Sequence, residues 1–171
     1  MIIAIDPGVN GGIAVKPDGD GAVRIYEMPD TLEGIDGWFR FELMTNILKN
    51  DPEKLTGVWC YLEKVHSMPK QRPTAVWTFA ENYGALKGII KAYDIPRIDV
   101  EPKTWQKAIG ATREAVPKGA TPTVKERIKR EAKKKIKSIV EAKYPYLAVS
   151  LKTADALGIL MYAEQENKNG K

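Results

Sequence analysis

A chain of 171 residues with 43% hydrophobic and 29% charged positions is long enough to bury its own core as a single domain, residues 1–171. No run approaches the roughly eighteen consecutive apolar residues of a membrane span, and the N-terminus lacks the basic start and cleavage site of a signal peptide, so a cytoplasmic protein without a membrane partner is expected. The net charge of +5 is local: from Val124 to Lys143, nine Lys or Arg stand against three Glu, a +6 that leaves the remainder at −1.

The first fifteen residues, MIIAIDPGVNGGIAV, read as two strands joined by a tight turn. The first strand ends in Asp6, and Pro7 and Gly8 bend the chain away so that nothing covers the carboxylate. Asp18-Gly19-Asp20-Gly21 is a turn signal before a third strand, Ala22 to Met28, which completes an antiparallel meander. Ile35, Trp38, Phe39, Leu43, Ile47 and Leu48 recur at helical spacing between Gly34 and Asn50. The fourth strand, Gly57 to Leu62, is almost wholly apolar, as a central strand should be, and is followed by Glu63. Its single cysteine, Cys60, fits a buried reduced thiol.

A Pro-broken loop, Lys64 to Pro73, leads to a helix capped by Thr74 and running to about Tyr93. Its stripe is Val76, Phe79, Ala80, Tyr83, Leu86, Ile90 and Tyr93, and the small residues Ala80, Gly84 and Gly88 suit either core packing or a dimer face. A fifth strand, Arg97 to Glu101, and a short helix, Pro102 to Gly110, come next. Ala111 to Pro122 reads as a flexible loop. A helix from Thr123 carries Val124, Ile128, Ala132, Ile136 and Val140 as one apolar stripe among basic residues. The last helix, Thr153 to Asn167, has Ala156, Leu157, Leu160 and Met161 on its inner side.

The lone histidine, His66, removes most His-based schemes, and no zinc cluster, GxxxxGK[ST] or strand-linked GxGxxG is present, so no nucleotide cofactor is expected. Carboxylates at element ends remain. Asp6 and Glu63 close two strands that would project them into one space if paired, and Asp155 sits among alanines near a helix start. Taken singly they are equally a turn aspartate, a surface glutamate and a helix cap. Clustered carboxylates are the ligands preferred by Mg²⁺ or Mn²⁺, and two such ions about 3.5–4 Å apart suit phosphodiester cleavage. A basic surface neutralises nucleic-acid phosphates. Together these features point to a nuclease.

The segments IIAIDPGVNGGIAV, YLEKVHSMPKQRPTAVWTFAENYGALKGII, VEPKTWQKAIG and KTADALGILMYAE, 68 of the 171 residues, resemble in order and spacing the RuvC-type Holliday-junction resolvases of bacteria and their phage-encoded relatives. The resemblance implies an α/β, RNase H-like fold: a five-stranded mixed sheet, three antiparallel strands then two parallel, with helices on both faces. It also implies a homodimer that cuts a four-way DNA junction symmetrically, in the cytoplasm, or the host cytoplasm if phage-encoded. Asp6, Glu63 and Asp155 fall on the family's metal-binding acids, served by Mg²⁺ or Mn²⁺ as two ions. The family's fourth ligand position holds Lys152, a cation that cannot bind metal while protonated and could contact the scissile phosphate instead.

A phosphate-assisting basic residue after the fifth strand is implied at Lys107 or Lys103, with Gln106 close to the expected place. His66 falls where relatives carry a base-stacking aromatic, and Lys64, Lys70 and Arg72 of the same loop suit phosphate contacts. On the basic helix, Lys125, Arg127, Lys129, Arg130, Lys133 and Lys134 are expected DNA contacts, against the alternative of a solvated face balanced by Glu126 and Glu131. An actin-like phosphotransferase would need a second half that this length does not hold. A junction-binding architectural protein with a degenerate metal site, and a nuclease acting broadly on branched DNA, stay open.

Overall fold

The computed structural model describes residues 1–8, 10–50, 57–65 and 73–168, excepting the side chains of 46–50, 73 and 75. Val9 of the opening turn, the side chains of Ile47 and Leu48, and the predicted DNA contacts His66, Lys70 and Arg72 lie outside the described residues. The strands are β1 (Ile2–Asp6), β2 (Gly12–Lys16), β3 (Arg24–Glu27), β4 (Trp59–Glu63) and β5 (Arg97–Val100). They form one sheet in the order β3-β2-β1-β4-β5. The first three pair antiparallel as a meander, and β4 and β5 join in parallel on the other side of β1.

The alternation of side chains along β1 divides the core in two. Ile3 and Ile5, with Ile13, Val15, Cys60 and Leu62, face α1 (Leu32–Asn50) and α2 (Pro73–Ala92), where Phe39, Leu43, Leu86 and Ile90 meet them. Ala4, Ala14, Tyr61 and Val100 face the other way, toward α3 (Pro102–Ala108), α4 (Pro122–Lys143) and α5 (Ala154–Lys168). Small alanines on this second face let α5 lie close to the sheet, and α5 is correspondingly buried on most sides, from Ala156 through Leu160 to Ala163. Burial pushes the Cys60 thiol pKa far upward, in keeping with an inert core cysteine.

Two local expectations change, and the choice left open for the small residues of α2 is narrowed. The third strand is shorter than predicted, because its ladder with β2 runs only from Gly12↔Glu27 to Val15↔Arg24; Val23 and Met28 are buried beyond its ends. Helix α2 begins at Pro73, a residue suited to the first turn, so Thr74 lies within the helix rather than capping it. Ala80 is exposed alongside Gly84 and Gly88, and that small-residue stripe faces outward while Leu86 and Ile90 hold the core. On α4 the stripe is as expected, with Ile128, Ile136 and Val140 buried and Lys125, Lys129, Arg130 and Lys134 exposed.

The close seat of α5 rests on Gly12. A Cβ there would come within 2.9 Å of the Tyr26 carbonyl oxygen, 3.0 Å of that of Lys152 and 3.1 Å of the Thr153 Cα, all backbone that cannot swing aside. Gly12→Ala is therefore expected to destabilise the protein by about 1–3 kcal/mol, the usual cost of overpacking. A thermal melt coinciding with that of the unmodified chain would show that this contact does not hold α5.

Candidate active site

Ile5 pairs with Leu62 across the parallel β1–β4 ladder, and the next residue on each strand is a carboxylate, Asp6 and Glu63. Both lie one step beyond side chains of the α1/α2 core, so the period of two turns both toward α5. The expectation that Asp6 stands uncovered is not met: the chain entering α5 packs over Gly12, the register partner of Asp6, and Asp6 retains only 9% exposure.

Asp155 reaches the same space from the first turn of α5. The entry to this helix is set by a reciprocal pair: the Ser150 N–H donates to Thr153 Oγ1 at 3.0 Å, and the Thr153 N–H donates to Ser150 Oγ at 3.2 Å. With capping thus supplied by its neighbours, Asp155 can turn inward. Its Oδ2 takes an ion pair from Lys133 Nζ of α4 at 3.0 Å, while Oδ1 is buried with no hydrogen-bond partner among the described residues.

A fourth participant, Trp105, is not among the residues that the sequence singles out. Its indole Nε1–H donates to Glu63 Oε1 at 3.0 Å, and its ring is fully buried beneath α5. Room for the ring exists because position 158 is glycine: a Cβ there would lie 2.5 Å from Trp105 Cζ3. The sequence does carry a signal, a tryptophan in a short helix leaving the fifth strand, but only packing shows that it reaches a carboxylate.

The electrostatics follow from crowding acids out of water. Burial first, then the charges of Glu63 and Asp155 and a hydrogen bond shared with Glu63, raise the Asp6 carboxyl pKa well above its ordinary 3.8, against a lowering influence from Lys133. Burial also raises Glu63, opposed by the Trp105 and Asp6 hydrogen bonds. For Lys133, burial pulls downward, but the ion pair with Asp155 and the fields of Asp6 and Glu63 outweigh it and hold the ammonium charged.

The remaining predicted residues lie elsewhere. Lys152 does not enter the cluster; its Nζ bonds Glu27 Oε2 at 2.7 Å on the surface. Lys64 pairs with Glu101 at 2.8 Å and Arg127 with Glu131 at 3.1 Å. Lys103 and Lys107 are exposed on α3, and the side chain that α3 sends to the acids is Trp105. The sequence groups Lys133 with the DNA-facing lysines, yet it is the one basic side chain of α4 described in contact with an acid of the cluster.

Among the described residues, no three His, Cys, Asp or Glu side chains are drawn together into a ready metal cage. The donors nonetheless suit a hard divalent cation: all are carboxylate oxygens, one of them, Asp155 Oδ1, is buried without a partner among the described residues, and two of the carboxyls have raised pKa values through burial and mutual repulsion that a cation would relieve.

This sheet order, with helices on both faces, defines an RNase H-like α/β fold of the RuvC type. Similar solved structures are that of Thermus thermophilus RuvC, with TM-score 0.50 and 15% identity over 96% of each chain, and T. thermophilus RuvC in complex with Holliday junction substrate, with TM-score 0.53 and 13% identity over 96% of this chain and 94% of that one. No protein-family model and no curated protein matches the sequence.

The raised carboxyls carry a pH signature. Because their folded-state pKa values lie above the unfolded ones, their contribution to stability is full below the ordinary values of 3.8 and 4.5 and is lost as pH rises through the folded values. In metal-free buffer at neutral pH, Asp6→Asn should therefore raise Tm by a few degrees, about 1 kcal/mol being worth about 2–4 °C at this size. The gain should shrink as the melts are repeated toward pH 4. A gain independent of pH would mean that the acids do not repel one another in the folded chain.

Proposed function

We propose that this chain is a structure-selective DNA endonuclease that resolves four-way junctions by divalent-metal-dependent phosphodiester hydrolysis. The observation that carries the reading is the convergence of Asp6, Glu63 and Asp155 at one edge of a RuvC-type sheet, directly beside the basic helix α4. The likeness to a RuvC solved in complex with a Holliday junction supports the choice of branched DNA.

In this reading Asp6, Glu63 and Asp155 hold Mg²⁺ or Mn²⁺, which when bound activates water and stabilises charge at the phosphate. Trp105 fixes the orientation of Glu63, and Ser150 and Thr153 set the start of α5 and with it the approach of Asp155. The exposed Lys125, Lys129, Arg130 and Lys134 of α4, with Lys64, Lys103 and Lys107, contact the DNA backbone and fix its register. Residues of α2 support pairing of two copies: Ala80, Gly84 and Gly88 line an outward stripe on which a Cβ at either glycine would meet nothing, and Trp77 of the same helix is 75% exposed. Two sites in a homodimer would cut symmetry-related strands. A second reading, a junction-binding architectural protein, is favoured by one observation: Lys152 stands at the expected fourth-ligand position and turns to Glu27.

A labelled synthetic four-way junction separates the two. Paired symmetrical nicks with Mg²⁺ or Mn²⁺ support the endonuclease, and a shifted band without nicks supports the binder. Asp6→Asn should reduce cutting by at least about a hundredfold while binding stays equal or tightens, since a carboxylate that repels phosphate is removed. Normal cutting by this variant would exclude the acid cluster as the site.

Neutralising Lys129 and Arg130 together should flatten the slope of log K against log[salt] by about 2, close to one for each phosphate left unneutralised. An unchanged slope would exclude both from the interface.

A further inference from the structure

We infer that a cavity on the α1/α2 side of the sheet receives an unpaired nucleobase of the branched DNA, beside the phosphate held at the acid cluster. The inference rests on the DNA-cleaving reading above and deepens it by giving part of that substrate a site of its own.

The cavity has a volume of about 530 Å³ and opens between the β1–β2 turn, the start of α1 and the first half of α2. That size lies within the roughly 300–1,000 Å³ of ordinary ligand sites. Its floor is the buried Met28, Ile35 and Leu86. One wall is formed by Phe79 and Tyr83, whose rings stack with 6.2 Å between centroids and 9° between planes. Flat aromatic surface of this kind takes the face of any base. At the rim stand the hydroxyls of Thr31 and Thr78 and the half-buried amide of Asn82, groups that donate to and accept from the edge of a base.

Charge selects the base over the rest of a nucleotide. Among the described residues of the lining, Asp30 alone carries a charge, and it is exposed at the rim. A carboxylate there repels a phosphate but accepts a hydrogen bond from an exocyclic amino group, so the neutral base enters and its phosphate stays outside.

Position ties the cavity to the acids. Pro7 and Gly8 line it directly after Asp6, so one turn sends a carboxylate toward α5 and forms the lip of the cavity on the opposite face. Gly8 has a φ of 128°, which glycine adopts without strain, and a Cβ there would lie 3.5 Å from Phe79 Cε2. From the other side, the Tyr83 hydroxyl donates to the main-chain oxygen of Glu63 at 3.4 Å. Both strands that bring an acid to the site therefore also hold the cavity. A DNA strand crossing this end of the sheet would have a phosphate at the acids and the adjoining base at the cavity mouth. Unstacking costs least for a base that is already unpaired, as bases at the crossover of a four-way junction can be.

The test is a set of synthetic four-way junctions in which one nucleotide at a time, close to the crossover, is replaced by an abasic residue, with affinity for the full chain measured without divalent metal. The unmodified chain is expected to lose about tenfold in affinity at one position of a strand and little elsewhere, the loss of one base–aromatic contact. Thr78→Trp, which fills the mouth from an exposed helix position, is expected to lose about tenfold on the intact junction and nothing further on the sensitive abasic one. Binding to a plain duplex should stay unchanged. Circular dichroism establishes that Thr78→Trp is folded, and the abasic series on the unmodified chain decides the question if it is not. Equal affinity at every abasic position would overturn the inference, and paired nicks by the same protein with Mn²⁺ would leave the DNA-cleaving reading standing. No junction binding by the unmodified chain would overturn both. A Thr78→Trp chain that weakens on duplex and junction alike, or that loses self-association in sedimentation without DNA, would assign the cavity to another occupant and overturn the inference.

Discussion

The parallel pairing of β1 with β4 forces two carboxylates, Asp6 and Glu63, to the same end and the same face of the sheet, where α5 then covers them. Much of the neighbourhood answers that repulsion. Trp105 donates to one acid, Lys133 offsets the field of all three, and the first turn of α5 delivers a third carboxylate to a place already short of positive charge. Burying such a group of acids is unfavourable in isolation, so this edge of the sheet is a place where stability is given up.

The two faces of the sheet divide the labour. On the α1/α2 side the core is large and aliphatic or aromatic, with Ile3, Ile5, Phe39, Leu62 and Leu86 fully or nearly fully buried. On the other side the central strands present the small Ala4 and Ala14, and α5 settles close enough that the chain entering it packs against Gly12 and its glycine at 158 admits the Trp105 ring. Close approach is what puts an acid from a helix within the electrostatic reach of acids from two strands. A bulkier second face would hold α5 farther out and separate Asp155 from Asp6.

Helix α4 joins the acid cluster to the surface that would meet a polyanion. Its buried stripe, Ile128, Ile136 and Val140, sets its rotation, and that rotation sends Lys133 inward while Lys125, Lys129, Arg130 and Lys134 stay in solvent. One helix therefore supplies both the counter-charge inside and the cationic surface outside, at adjacent turns. Under the proposed function, that proximity would place cationic charge between the acids and the phosphates of a bound polyanion.

Sequence periodicity alone determined the order and type of the ten described elements, the split between apolar and basic faces of α4, and the position of Asp6 and Glu63 at strand ends, because these depend on local spacing and on residue chemistry. It also singled out the three acids, whose types and flanking residues are readable one at a time. What only the tertiary structure decided is which charges meet. Lys133 is one basic residue among many until the rotation of α4 turns it to Asp155, and Lys152 is drawn to Glu27, a residue 125 positions away. Trp105 comes to hold Glu63 because a glycine in another helix leaves space for its ring. Such contacts depend on close packing between elements distant in the chain, and no local pattern encodes them.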